Sequence, residues 1–148
     1  MVEEHARIKA QRYEGRADLG NAQPGDGLKF IGRGYVQITG RRNYTNWSKR
    51  LGLDLVNSPE LASDPNVAAR IAVEGMRDGD FTSTRSGHRL KLSDYVNDST
   101  TDFYNARRVI NGTDAADQVA QSAERCLAAL RACRATARTP SSAAGAPP

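Results

Sequence analysis

The stretch FIGRGYVQITGRRNY, residues 30–44, constrains the fold of this chain more than any other part of it. Two glycines flank Arg33, and residues without a Cβ let the backbone come close to a neighbouring group. The alternation that follows predicts a short strand over residues 35–39. One face of that strand is expected to carry an aromatic ring, an amide and a hydroxyl, from Tyr35, Gln37 and Thr39.

This set of side chains suits a carbohydrate ligand. Amides and hydroxyls offer the donor and acceptor pairs that N-acetyl and hydroxyl groups of a sugar require. Asn43 adds a second amide just beyond the predicted strand, at the start of a helix predicted over residues 41–51. The sequence therefore predicts a sugar-binding segment here.

Length and charge narrow the class of protein. A chain of 148 residues is long enough for one domain with a sizeable core. It contains no apolar run long enough for a bilayer and no basic-then-apolar signal sequence at its start. We therefore expect no membrane association, and a cytoplasmic protein until cell lysis releases it or another system exports it.

The net charge of +4 favours an acidic partner such as the bacterial cell wall. The lysines and arginines are spread along the chain, and neither zinc-finger spacing nor an RNA-binding aromatic motif is present. We therefore expect no nucleic-acid partner.

Apolar spacing predicts a mainly helical fold with a small β-hairpin near residues 29–39. In the helix predicted over residues 41–51, one face is expected to pack into the core and Gly52 is expected to end the helix; that face carries Tyr44, Trp47 and Leu51. Further helices are predicted from Ser58-Pro59, from Asp64-Pro65 through about Met76, over residues 101–110 and over residues 113–134. Asn111-Gly112 is expected to end one of them as a left-handed cap. The Ala-, Ser- and Pro-rich residues 135–148 predict a disordered tail.

The two cysteines, Cys126 and Cys133, lie seven residues apart on the last predicted helix. That spacing is too long for a disulfide within one straight helix, so we expect two small buried apolar residues. His5 and His88 lack spaced partners, and no metal site or cofactor is expected.

Four segments then resemble glycoside hydrolase family 19, the chitinase and phage-endolysin family. They are the GRG-x-x-Q-hydrophobic-Thr motif, the Asn-Tyr after it, LGLDLVNSPELASDP at residues 51–65 and RRVING at residues 107–112. They fall in the family's order over residues 13–129. The YEGR and LGN-x-QPGDG segments ahead of them are most similar to phage and prophage endolysins.

The resemblance implies a lysozyme-like helical domain over residues 1–134 that acts as a monomer. It implies hydrolysis of β-1,4 bonds in peptidoglycan, in the manner of an endolysin or muramidase, or in chitin. The family hydrolyses the glycosidic bond with inversion of configuration at the anomeric carbon, and it uses two carboxyl groups, one as acid and one as base. Peptidoglycan is the preferred expectation, given the basic charge and the endolysin-like segments.

The resemblance also implies which carboxylates are catalytic. Relatives carry the acid in a His-Glu-Ser/Thr motif, and this sequence has no His-Glu pair, so we expect a domain truncated at its N-terminus. The base is expected to be Glu3, with Glu4 as the near alternative and Glu14 as a third candidate. Glu3 and Glu4 equally suit a solvated first helical turn. A catalytically impaired glycan-binding remnant is the alternative function.

The remaining residues implied by the resemblance bind substrate or water. Thr39 matches the family residue that helps hold the attacking water. The family's sugar-binding positions are matched by Gln37, Asn43 and Asn111. Tyr35 is expected to line a subsite, and Arg33 to bind substrate or brace the loop.

Overall fold

The computed structural model describes Ile8 and residues 10–136, and it is mainly helical, as predicted. Contacts within the chain divide it into two compact units, one ending at Asp78 and the other beginning at Gly79. In the described part of the chain, no helix has both the length and the apolar character needed to cross a bilayer.

The described part of the first unit includes the α-helices α1 (Asp26–Lys29), α2 (Arg41–Leu51) and α3 (Pro65–Asp78), and residues 10–13 are helical as well. Two 3-10 helices, Ala17–Leu19 and Pro59–Ser63, lie among them. The Asp64 carboxylate accepts the N–H groups of Asn66 and Val67 and so caps the start of α3. Gly52, in the left-handed conformation at φ 68°, ends α2 as the sequence predicted.

Two aromatic side chains pack against each other in the core of this unit. The side chains of Phe30 and Tyr44 are fully buried, with ring centroids 5.1 Å apart in a tilted arrangement. Trp47 and Leu51 are buried on the same face of α2 as Tyr44, which confirms the spacing-based assignment of that face to the core.

The predicted strand over residues 35–39 is wrong. Arg33 and Ile38 form a single antiparallel bridge, and residues 34–37 between them make a turn closed by the Gln37 N–H on the Gly34 carbonyl. Gly34 and Gln37 both have positive φ, of 72° and 53°, which takes the backbone out of an extended path. The predicted hairpin is thus one bridge closed by a turn, and its polar residues do not share a strand face.

The second unit contains α4 (Phe103–Ala106), α5 (Ala116–Thr136) and the 3-10 helices Leu92–Asp94 and Arg107–Val109. The single helix predicted over residues 101–110 is therefore two short ones. The left-handed cap predicted at Asn111-Gly112 is also wrong, because neither residue has a positive φ. Instead the Asn111 side-chain oxygen accepts the Gly112 N–H directly.

Most of α5 is exposed, although its apolar residues recur at helical spacing. Ala116 is buried, whereas Leu130 is 68% exposed and both Cys126 and Cys133 are exposed. The predicted burial of the cysteines is therefore wrong. The spacing identified one face of the helix, but it carried no information on whether another element covers that face. The first two residues of the predicted tail, 135 and 136, belong to α5, and residues 137–148 lie outside the described residues.

Candidate functional site

The loop ahead of α1 is fastened to the start of α2 by two buried polar residues. Asn21 donates from Nδ2 to the Tyr13 carbonyl over 2.8 Å and accepts the Arg41 backbone N–H on Oδ1 over 2.8 Å. The Asp26 carboxylate accepts Arg41 Nε at 2.8 Å, Arg41 Nη2 at 2.5 Å and the Gln23 N–H at 3.1 Å. The hydrogen bonds from Arg41 hold the pKa of Asp26 below its ordinary value.

The Arg33 guanidinium is hydrogen bonded to the end of α1 and to Tyr44 on α2. Its Nη1 donates to the Lys29 carbonyl at 2.8 Å and to the Tyr44 hydroxyl at 2.9 Å. The Tyr44 hydroxyl in turn donates to the Ile31 carbonyl at 2.8 Å. Burial raises the pKa of Tyr44, so this phenol stays protonated as the donor.

Two predicted sugar-site residues, Gln37 and Thr39, come together at Gly32, and a third, Asn43, is hydrogen bonded to the Thr39 backbone. We call Gln37, Thr39 and Asn43 the amide–hydroxyl cluster. A Cβ built on Gly32 would stand 2.9 Å from Gln37 Oε1 and 3.2 Å from Thr39 Oγ1, so both oxygens converge on the space that this glycine leaves open. Thr39 Oγ1 donates to the Gln37 carbonyl at 3.0 Å, and Asn43 Nδ2 donates to the Thr39 carbonyl at 2.7 Å.

The cluster is therefore held by its own backbone bonds, and amide and hydroxyl groups have further donor and acceptor capacity for a ligand. Tyr35 lies at the tip of the same turn with 68% of its surface exposed. An exposed ring beside converging amide and hydroxyl groups can present an apolar face and polar partners to one sugar chain.

Glu14 is bonded on both carboxylate oxygens. Oε1 accepts the Gly25 N–H at 2.7 Å, and Oε2 accepts the Gly27 N–H at 2.8 Å. Together with Ala10, Gln11 and Leu28 it lines an open depression of about 260 Å³. A Cβ on Gly27 would approach Glu14 Oε2 to 2.7 Å, so only glycine leaves room for this carboxylate.

Glu3, Glu4 and His5 fall outside the described residues. Asn111 belongs to the second unit, where its side chain is exposed. His88 is exposed in that unit too, with Nε2 3.5 Å from a carboxylate oxygen of Asp94.

Sequence reasoning missed Asn21, Asp26 and Arg41. The LGN-x-QPGDG segment gave a usable signal, because an ordered polar loop has to bury some of its polar groups and satisfy them internally. Nothing local to the sequence, however, pairs an aspartate with an arginine fifteen residues later.

Comparison with known proteins identifies a family and several relatives. A family model of glycoside hydrolase family 19, described as Chitinase class I, matches residues 8–124. A glycosyl hydrolase family 19 domain-containing protein of Haemophilus influenzae is 38% identical over 61 residues, which cover 41% of this chain and 30% of that protein. The acidic 27 kDa endochitinase of Solanum lycopersicum is 35% identical over 71 residues, covering 47% of this chain and 26% of the relative.

Chitinase 11 of Oryza sativa subsp. japonica is 51% identical over 45 residues, which cover 30% of this chain and 18% of that protein. The matched stretches thus span less than a third of each of these three relatives. The family model, by contrast, covers most of the present sequence, including the whole amide–hydroxyl cluster. The chain belongs to glycoside hydrolase family 19.

Proposed function

We propose that the amide–hydroxyl cluster binds a β-1,4-linked N-acetylhexosamine chain, and that the protein hydrolyses such chains with inversion. The observation that carries the proposal is the convergence of Gln37 Oε1 and Thr39 Oγ1 over Gly32. This pair presents an amide and a hydroxyl to one small volume, so that the amide can bind an N-acetyl group while the hydroxyl holds a water beside it.

Each residue of the cluster has a proposed role. Thr39 orients the attacking water through its hydroxyl, while Gln37 and Asn43 bind sugar substituents. Tyr35 stacks against a sugar ring from the tip of the turn. Arg33, whose guanidinium is bonded to loop carbonyls and to the Tyr44 hydroxyl, supports the turn.

The carboxylate that activates the water is proposed to be Glu3, with Glu4 as the alternative. An inverting pair stands roughly 6.5–9.5 Å apart, which leaves room for a water between base and sugar. Glu14 is the weaker candidate, because both of its oxygens already accept backbone N–H groups. Asn111 is proposed as a further sugar ligand on the strength of the motif around it.

Two polymers share the chemistry that the cluster recognises. Peptidoglycan is our preferred substrate, because a net charge of +4 favours the acidic cell wall. Chitin is the second, because relatives of this chain are named chitinase and endochitinase. Release of reducing ends from each purified polymer by the same preparation distinguishes them.

The test of the cluster is the isosteric change Thr39→Val, with Thr45→Val as its control. Thr45 lies about one turn into α2, and its hydroxyl donates to the Arg41 carbonyl of the same helix. We expect Thr39→Val to lower hydrolysis about 10²-fold while binding of a chitin tetrasaccharide changes little. Equal activity of the two variants would remove Thr39 from the mechanism.

A second candidate function is glycan binding without hydrolysis. Within residue 8 and residues 10–136, none of the carboxylates hydrogen bonds to Gln37, Thr39 or Asn43. Under this alternative the wild-type protein binds the tetrasaccharide and insoluble cell wall, yet prolonged incubation releases no reducing ends.

A further inference from the structure

We infer that Asp26 is a positioning residue, which through Arg41 fixes the start of α2 and with it the placement of Thr39 and Asn43. The inference rests on the proposed glycan site. The Asp26 carboxylate is 2% exposed, so its bonds to Arg41 are shielded from competing water.

The start of α2 lacks an ordinary cap. Its N-cap residue is Gly40, which has no side chain to accept the first N–H groups, and no side-chain cap bond is formed there. Thr39 precedes this glycine, and Asn43 follows in the first turn of the helix. The placement of both side chains therefore depends on how the backbone at residues 40 and 41 is held.

Arg41 holds that backbone from two directions. Its guanidinium forms a bidentate pair of hydrogen bonds to the Asp26 carboxylate, and Nη2 also donates to Gln23 Oε1 at 2.7 Å. Its backbone N–H donates to Asn21 Oδ1, and its guanidinium carbon lies 4.8 Å over the Phe30 ring. A bidentate pair fixes the plane of the guanidinium as well as its distance, which a point charge such as lysine does not.

The adjacent backbone has little room to move independently. The Gly40 N–H donates to the Phe30 carbonyl at 2.9 Å, and a Cβ on Gly40 would stand 2.7 Å from the Leu19 carbonyl oxygen. Asn43 Nδ2 then reaches back to the Thr39 carbonyl. Asp26 is thus connected to the cluster by a continuous series of hydrogen bonds and close contacts.

The experiment compares Asp26→Asn and Arg41→Lys with Arg42→Lys, which makes the same chemical change at the next, exposed position. The first readout is the NMR resonances of the Thr39 backbone amide and the Asn43 side-chain amide in the free protein. The second is the dissociation constant for a chitin tetrasaccharide. We expect both site variants to shift these resonances and to weaken binding about 10-fold or more, and Arg42→Lys to do neither.

Each outcome decides the inference. If Asp26→Asn does not fold, Arg41→Lys, which keeps the charge, still gives both readouts. A lower melting temperature with native Thr39 and Asn43 resonances would mean a purely structural ion pair and would overturn the inference. If wild-type protein binds no tetrasaccharide, the proposed function fails, while shifted resonances in the variants still uphold the positioning role.

Discussion

Gln37 has φ +53°, a left-handed backbone conformation that residues other than Gly, Asn and Asp seldom adopt. The conformation costs about 1 kcal/mol, and the side chain compensates in part by donating from Nε2 to the Gly34 carbonyl at 2.8 Å. The result is an amide oxygen aimed at the space over Gly32. A strained residue inside the proposed binding cluster is consistent with selection for its side chain rather than for stability.

Gly32→Ala tests the cluster without straining the backbone, because Gly32 does not have a positive φ. The new methyl would stand 2.9 Å from Gln37 Oε1, so that side chain has to turn away. We expect tetrasaccharide binding to weaken about 10-fold and the free energy of unfolding to change by less than about 1 kcal/mol. Gly112→Ala, where a Cβ meets nothing within 4 Å, is the control for the unfolding measurement. Native affinity in the Gly32 variant would place the glycan elsewhere.

Glu14→Gln tests whether Glu14 holds the backbone at Gly25 and Gly27 or acts as the catalytic base. Each oxygen of Glu14 accepts a backbone N–H, and an amide presents an NH₂ group to one of those two donors. We expect a loss of about 1–3 kcal/mol in the free energy of unfolding, measured by urea titration. Glu60→Gln, on an exposed surface, should stay within about 0.5 kcal/mol of wild type. An unchanged stability together with abolished hydrolysis would instead make Glu14 the catalytic base.

At the scale of the elements, the helical spacing of α2 was informative and the alternation of residues 35–39 was not. The spacing of Tyr44, Trp47 and Leu51 predicted both α2 and its buried face. The alternating residues 35–39 predicted a strand, but the positive φ at Gly34 and Gln37 made a turn. Alternation reports which side chains could share a face, whereas the conformation of two residues decided whether the segment is extended.

The exposed part of α5 gives a direct test of the corrected cysteine burial. Cys126 and Cys133 are both exposed, so a thiol reagent should modify both in the native protein. We expect native and urea-unfolded protein to differ by less than about 10-fold in labelling rate, because exposed thiols need no unfolding to react. Protection of either cysteine by several orders of magnitude would mean that another surface covers this face.

For the molecule as a whole, the family and the mainly helical fold could be predicted from ordered motifs, while the buried polar framework could not. Asp26 looked like one more loop aspartate in QPGDG. Its burial results from contacts with a residue on α2, and such long-range pairing leaves no periodic signal. The amide–hydroxyl cluster was predicted from residue types, but its geometry depends on this unpredicted framework.

The pH dependence of stability should report the same framework. Arg41 lowers the pKa of Asp26, so the carboxylate stabilises the fold fully above its unfolded value near 4 and loses this contribution as the pH falls through the folded value. Relative to Asp26→Asn, wild type should be more stable by on the order of 3 kcal/mol between pH 5 and pH 8. The difference should shrink below about pH 4 in urea titrations. A gap that is independent of pH down to pH 2 would contradict this assignment.

The bonds that hold the cluster also have a consequence for the order of folding. In the described part of the chain, they join residues between Tyr13 and Tyr44, such as Asn21 to Arg41 across 20 positions and Glu14 to Gly27 across 13. Closing loops of this length has a small entropic cost, and loops of this size close quickly during folding. This segment is therefore expected to be assembled already in the transition state, so substitutions at Asn21 or Asp26 should slow refolding more than they accelerate unfolding.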